Sequence, residues 1–217
     1  MRLVRRSRSR SSNDRDHGAG VLVAATGNAG KLAELERLLD GLGWEVVAQS
    51  ALGVEPPPED GLTFVENAIA KARNAAERTG RPALADDSGL VVDALGGAPG
   101  IHSARYAGPD AGDAANNEKL LRALAGVPEA ERTARFECAV AWLRDPRDPV
   151  PLIASGTWTG RVLEAPRGTN GFGYDPLFLD PGTGRTGAEL DPGRKDALSH
   201  RGQALRELRR MLAGAAI

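Results

Sequence analysis

The chain reads as an α/β protein built on a mixed β-sheet, and three observations predict it. Short apolar runs alternate with segments whose leucines recur at helical spacing, so strands and helices are interleaved. From Phe136 to Glu164 strand patterns follow one another with no helix between them, which favours antiparallel pairing there rather than a purely doubly wound sheet. The 217 residues suffice for one domain with a sizeable core, and no segment repeats another.

Val21 to Ala25 is the first strand, buried by its composition. After a Gly-Asn-Ala-Gly turn, Leu32, Leu35, Leu38, Leu39 and Leu42 mark one face of a helix that Gly41 and Gly43 stop. Glu45 to Ala48 is a second short strand, and Ala51 to Gly61 a Pro- and Gly-rich loop. The next helix runs from about Leu62 to Arg78. Thr63 and Glu66 have capping-box spacing, its alanines allow close packing, and Asn67, Lys71 and Asn74 share a polar stripe. Ala83 to Ala85 and Leu90 to Val92 are expected to flank a turn at Asp86-Asp87-Ser88-Gly89. Gly96 to Gly112 is an irregular loop, and Asp113 to Ala125 a helix with Leu120, Leu121 and Leu124 inward. Phe136, Cys138, Val140 and Trp142 alternate along a strand. Leu152 to Trp158 and Arg161 to Glu164 are expected to form a bent hairpin around Thr159-Gly160. A final helix spans about Ser199 to Ala213.

Bulk properties exclude several classes of function. Lys plus Arg number 28 and Asp plus Glu 29, so no global field recruits nucleic acid or an anionic membrane. The single cysteine, Cys138, excludes an intrachain disulfide. No apolar run is long enough to span a bilayer. Residues 1–19 alternate arginine with serine, lack the apolar stretch of a secretory signal, and are expected to be a disordered extension. Residues 20–217 are expected to form one domain.

Three strings carry chemistry. Thr26-Gly27-Asn28-Ala29-Gly30-Lys31 puts a glycine-loosened turn and a lysine at a helix N-terminus, where free amides attract phosphate. It is not a Walker A loop: its glycines are too close, and Leu32 follows the lysine. Asp86 and Asp87 supply paired carboxylates, which in a turn converge on a cation; Mg²⁺ takes a few carboxylates plus phosphate oxygens and water. Phe172, flanked by Gly171 and Gly173 and followed by Tyr174 and Asp175, suits a stacking platform for a flat base. Lys195 and Arg201 are donors only, suited to keto oxygens and phosphates. Taken singly, each string also fits an ordinary turn or helix start. The three histidines are too scattered for a zinc site.

In order along the chain, these strings resemble the inosine/xanthosine triphosphate pyrophosphatases, also called Ham1-like. The resemblance runs from about Val21 to Leu212. It also covers Gly61-Leu62-Thr63-Phe64-Val65-Glu66-Asn67-Ala68, the stretch Gly96 to Tyr106, and Ser199-His200-Arg201-Gly202. It implies an elongated mixed sheet with flanking helices and two lobes with the active-site cleft between them. It implies hydrolysis of ITP, dITP and XTP to the monophosphate and pyrophosphate, with Mg²⁺, by a cytoplasmic homodimer. By the same resemblance Thr26, Gly27, Asn28, Ala29, Gly30 and Lys31 bind the triphosphate. Asp87 is the proton acceptor and a metal ligand, and Glu59 is a second metal ligand. Ser88, Phe172, Gly173, Tyr174, Asp175, Lys195, His200 and Arg201 contact the nucleotide. Two rival readings are a Maf-type pyrophosphatase acting on pyrimidine nucleotides, and a nucleotide sensor or RNA-associated protein using the arginine-rich extension.

Overall fold

The structure is a computed structural model that describes residues 20–214. The expected N-terminal extension, residues 1–19, lies outside them. One seven-stranded sheet runs through the described residues in the order β2-β1-β3-β4-β5-β6-β7. β1 (Gly20–Ala24) and β2 (Trp44–Ala48) are parallel and joined through helix α1 (Ala29–Leu39). β1 also lies parallel to the start of β3 (Ala83–Val92), which follows helix α2 (Phe64–Thr79). β3, β4 (Thr133–Leu143) and β5 (Leu152–Val162) form a long antiparallel centre. Short β6 (Phe178–Asp180) and β7 (Arg185–Thr186) continue it. Helix α3 (Asp113–Ala123) precedes β4; α4 (Pro192–Leu198) and α5 (His200–Gly214) follow β7. The sheet is mixed, as its pattern predicts.

Two expected turns are absent, for one reason. Asp86 to Gly89 continues β3 without interruption and pairs residue by residue with Val140 to Glu137. Thr159 and Gly160 likewise lie within an unbroken β5, so there is no bent hairpin there. In both places glycine serves close approach, not a turn. A side chain at Gly89 would run into the Gly100 carbonyl and Ser103, and one at Gly160 would lie 2.6 Å from the Phe178 ring.

Alternation along β3 sorts its residues onto two faces. Leu84, Asp86, Ser88 and Leu90 share the face covered by α1 and α5. Two apolar clusters lie on that face at opposite ends of the long strands. One gathers Leu84, Val140, Leu35, Leu205 and Leu208. The other gathers Leu90, Phe136, Trp158, Tyr174 and Phe178. Asp86 and Ser88 fall between them. Ala83, Ala85 and Asp87 share the opposite face, under α2, where Ala68, Ala72, Ala75 and Ala76 press on Ala139 and Ala141. With alanine on both sides the helix lies close to the sheet, and its polar stripe reaches the strand. The capping box forms: Thr63 Oγ1 accepts from the Glu66 N–H, and the Glu66 carboxylate from the Thr63 N–H.

Candidate active site

β1 pairs with β3 only at Val23–Ala83 and Ala24–Leu84. Beyond Leu84, the β3 edge on that side loses its strand partner, and the Thr26–Lys31 turn sits at this opening. Asn28 caps α1, its Oδ1 accepting from the Lys31 N–H at 3.0 Å, while Thr26 Oγ1 accepts from the Asn28 N–H at 3.1 Å. The amides of Ala29 and Gly30, in the first helical turn, have no intrahelical acceptor.

On the α1/α5 face, Asp86 is buried and its Oδ2 meets three partners. Lys31 Nζ lies at 3.1 Å, Arg201 Nη2 at 3.0 Å and the Ser88 hydroxyl at 3.1 Å. Arg201 is 2 % exposed and also donates to Glu34 and to Ser88. Lys195 Nζ bridges Glu34 at 2.9 Å and Asp175 at 2.7 Å. Three carboxylates and three cations thus balance. Burial by itself raises the Asp86 and Glu34 carboxyls, but Arg201 outweighs it, with Lys31 for Asp86 and Lys195 for Glu34. Both are held below their ordinary values, Asp86 far below. Burial pushes the Asp175 carboxyl up despite Lys195. It pulls His200 well down, helped by Arg201 and Lys195, so the imidazole is neutral. The His200 ring stacks on Phe136 at 4.7 Å, and its Nδ1 is buried without a hydrogen-bond partner.

α5 reaches this position because Gly156 has no side chain. A Cβ there would collide with the His200 carbonyl and lie 2.7 Å from the Ala204 nitrogen. Beside it a cleft opens, lined by Lys31, Ser88, Phe172, Asp175, Lys195 and Arg201 among others. The half-buried Phe172 ring packs against Gly30, and Lys195 Nζ stands 4.7 Å from its centroid.

On the α2 face, Asp87 is 5 % exposed. Lys71 Nζ lies 2.6 Å from its Oδ1, and Asn67 Nδ2 donates to its Oδ2 at 3.2 Å. The same ammonium lies 2.5 Å from Glu59 Oε1, and Arg105 Nη1 lies 2.5 Å from Glu59 Oε2. Two carboxylates and two cations balance here as well. Burial would raise Glu59, but hydrogen bonds from Lys71 and Arg105 hold it below its ordinary value. Burial would lower Lys71, but Asp87 and Glu59 hold it above.

The model of the Ham1 family matches residues 22–211. The chain belongs to the Ham1 family. A dITP/XTP pyrophosphatase of Halorhodospira halophila is 62 % identical over 187 residues, covering 86 % of this chain and 94 % of the relative. One of Shigella flexneri is 58 % identical, covering 86 % and 95 %. Among solved structures, a HAM1 protein of Coxiella burnetii superposes with a TM-score of 0.83 at 50 % identity, covering 90 % of this chain and 99 % of that one.

In this Ham1 chain the expected site residues gather at one strand, but not as a single carboxylate pair. The sequence places Asp86 and Asp87 in a turn where they converge; the extended strand instead sends them to opposite faces, and Lys31 pairs with Asp86. Glu59 does join Asp87. Lys195 and Arg201, expected as donors to the nucleotide, are paired with carboxylates here. Lys71 and Asn67 enter the site although sequence reasoning assigned them no role. The signal was the polar stripe on an otherwise alanine-packed helix face. Glu34 was missed as well: it follows Lys31 by three positions, one helical turn on, on a helix read only for its leucines.

Proposed function

We propose that the chain hydrolyses non-canonical purine nucleoside triphosphates (ITP, dITP and XTP) to the monophosphate and pyrophosphate. The reading includes a cytoplasmic homodimer, both carried by the family resemblance. Among the described residues no helix is long and apolar enough to cross a membrane. The similarity to dITP/XTP pyrophosphatases supports the reaction. The observation that carries it is the convergence of Asp87 and Glu59 on Lys71, at the strand that also lines the cleft beside Phe172, Lys195 and Arg201.

Both charged clusters are balanced without substrate, so a triphosphate brings uncompensated negative charge and favours arrival with a cation. Glu59 and Asp87 are hard oxygen donors already brought within reach of one positive centre. Two carboxylates do not cage an ion alone. That fits Mg²⁺, which completes its shell with phosphate oxygens and water. When bound by Glu59 and Asp87, Mg²⁺ would neutralise the triphosphate and acidify a nearby water.

The residues supply the rest. The Asp87 carboxylate accepts the proton of the attacking water, oriented by Asn67 and Lys71. Water adds at the α-phosphorus, and the bond to the bridging oxygen of pyrophosphate breaks. Lys31 and the amides of Ala29 and Gly30 stabilise charge on the departing group. Phe172 stacks on the base. Lys195 spends two of its three N–H donors on Glu34 and Asp175. The third suits a keto oxygen at C6 and leaves adenine's amine unmatched, a discrimination of roughly ten- to a hundred-fold.

The test is a panel of ITP, XTP, GTP, UTP and dUTP, with and without Mg²⁺, reading pyrophosphate. Release from ITP and XTP, with Mg²⁺ only, is expected. Orthophosphate as product, or preference for a pyrimidine, contradicts the proposal.

A further inference from the structure

The Phe172 ring is held in place by a helix outside the charged clusters. Its own N–H donates to Asp175 Oδ2 at 2.9 Å. The next residue, Gly173, is gripped through both its polar backbone groups by the first turns of α3. Its N–H donates to Asp113 Oδ2 at 2.6 Å, and its carbonyl accepts from Asn117 Nδ2 at 2.8 Å. Asn117 Nδ2 also donates to the Asp113 carbonyl at 2.9 Å. Both neighbours of that nitrogen are carbonyl oxygens, so the amide can present only its NH₂ side there. The orientation leaves Asn117 Oδ1 buried with no partner, a cost accepted to keep the grip on Gly173. Gly173 has φ +62°, a backbone that glycine adopts without strain, so the peptide stands in a conformation suited to two-sided capture. Asp113 and Gly173 both line the cleft. On its other flank the ring touches the phosphate turn: a Cβ at Gly30 would lie 2.6 Å from Phe172 Cδ1.

We infer that Asp113 and Asn117 are positioning residues that set the Phe172 ring for the purine base, making the start of α3 a specificity element of this site. The inference deepens the proposed function and rests on it. Neither residue belongs to either charge-balanced cluster, so their contribution falls on the base and not on the polyphosphate.

The experiment measures kcat and KM for ITP, inhibition by tripolyphosphate, and calorimetric binding of inosine 5′-monophosphate. It compares the full-length chain with Asp113→Ala, Asn117→Ala and Asp113→Asn. Each alanine variant is expected to raise KM for ITP and to weaken monophosphate binding by roughly five- to ten-fold, the loss of one hydrogen bond. Inhibition by tripolyphosphate, which has no base, stays at the wild-type level. Asp113→Asn keeps an acceptor oxygen and restores near wild-type behaviour. Wild-type KM and monophosphate binding in Asp113→Ala overturn the inference. So does a parallel loss of tripolyphosphate inhibition, which marks general loosening. If monophosphate binding weakens as expected while the wild-type chain releases no pyrophosphate, the positioning role stands and the hydrolase reading fails.

Discussion

The two carboxylates of Asp86-Asp87 are neighbours in the chain and opposites in the fold. Asp86 faces α1 and α5, is 2 % exposed, and meets Arg201, Lys31 and Ser88. Asp87 faces α2 and shares one lysine with Glu59, whose side chain is 29 % exposed. The first is locked among cations that hold it ionised. The second sits beside a carboxylate partly open to solvent, the side on which the proposed Mg²⁺ and triphosphate would arrive. One dipeptide on an extended strand therefore serves two ends: Asp86 anchors the helices that form the cleft, and Asp87 is left on the face where the proposed hydrolysis would take place.

Substitutions on the two faces should separate accordingly. Short of removing Asp87 itself, the largest effect is expected from Lys71→Met. It removes the charge that both Glu59 and Asp87 share, and turnover should fall about a hundred- to a thousand-fold in a pyrophosphate-release assay. Without Lys71 the Glu59 carboxyl rises, so the acidic limb of the pH–rate profile should move to higher pH.

Asp86→Asn should instead act on stability. It leaves Arg201 and Lys31 short of a buried counter-charge, at a cost of about 3–5 kcal/mol in urea unfolding. The pH dependence has a definite sign. Asp86 and Glu34 titrate below their unfolded values, so their stabilisation is complete above the ordinary carboxylate range near pH ~4 and is lost as pH falls beneath it. The wild-type urea midpoint should therefore drop between about pH 5 and pH 3, and less so in Asp86→Asn.

Thr63→Ala should give the smallest effect. Loss of the capping box costs α2 about 1 kcal/mol, read as a lowered melting temperature. A large loss of turnover in this variant would mean that the α2 face depends on the helix end more than on Lys71 itself.

What was legible in the sequence follows from how local its cause is. The leucine spacing of α1, the Thr63–Glu66 box and the mixed sheet are set by nearby residues and are present as read. The turns expected at Asp86–Gly89 and Thr159–Gly160 are absent, because those glycines answer to the distant Gly100 carbonyl and Phe178 ring. The same limit applies to the site. Its phosphate turn and aromatic loop lie in continuous strings. Lys71, Asn67 and Glu34 belong to it only because α2 and α1 pack against the sheet; the polar stripe on α2 marks a face but not its partner strand. Arg201 was readable as a donor, but not as the hub joining Asp86 to Glu34.

The division of labour along β3 is tested most directly by Asp87→Asn, assayed for pyrophosphate release from ITP with Mg²⁺ and for thermal unfolding in the same preparation. Turnover should disappear and ITP should still bind, while Lys71 keeps Glu59 as a counter-charge, so the melting temperature should fall far less than in Asp86→Asn. Turnover at the wild-type rate would contradict it, and so would a loss of stability matching that of Asp86→Asn.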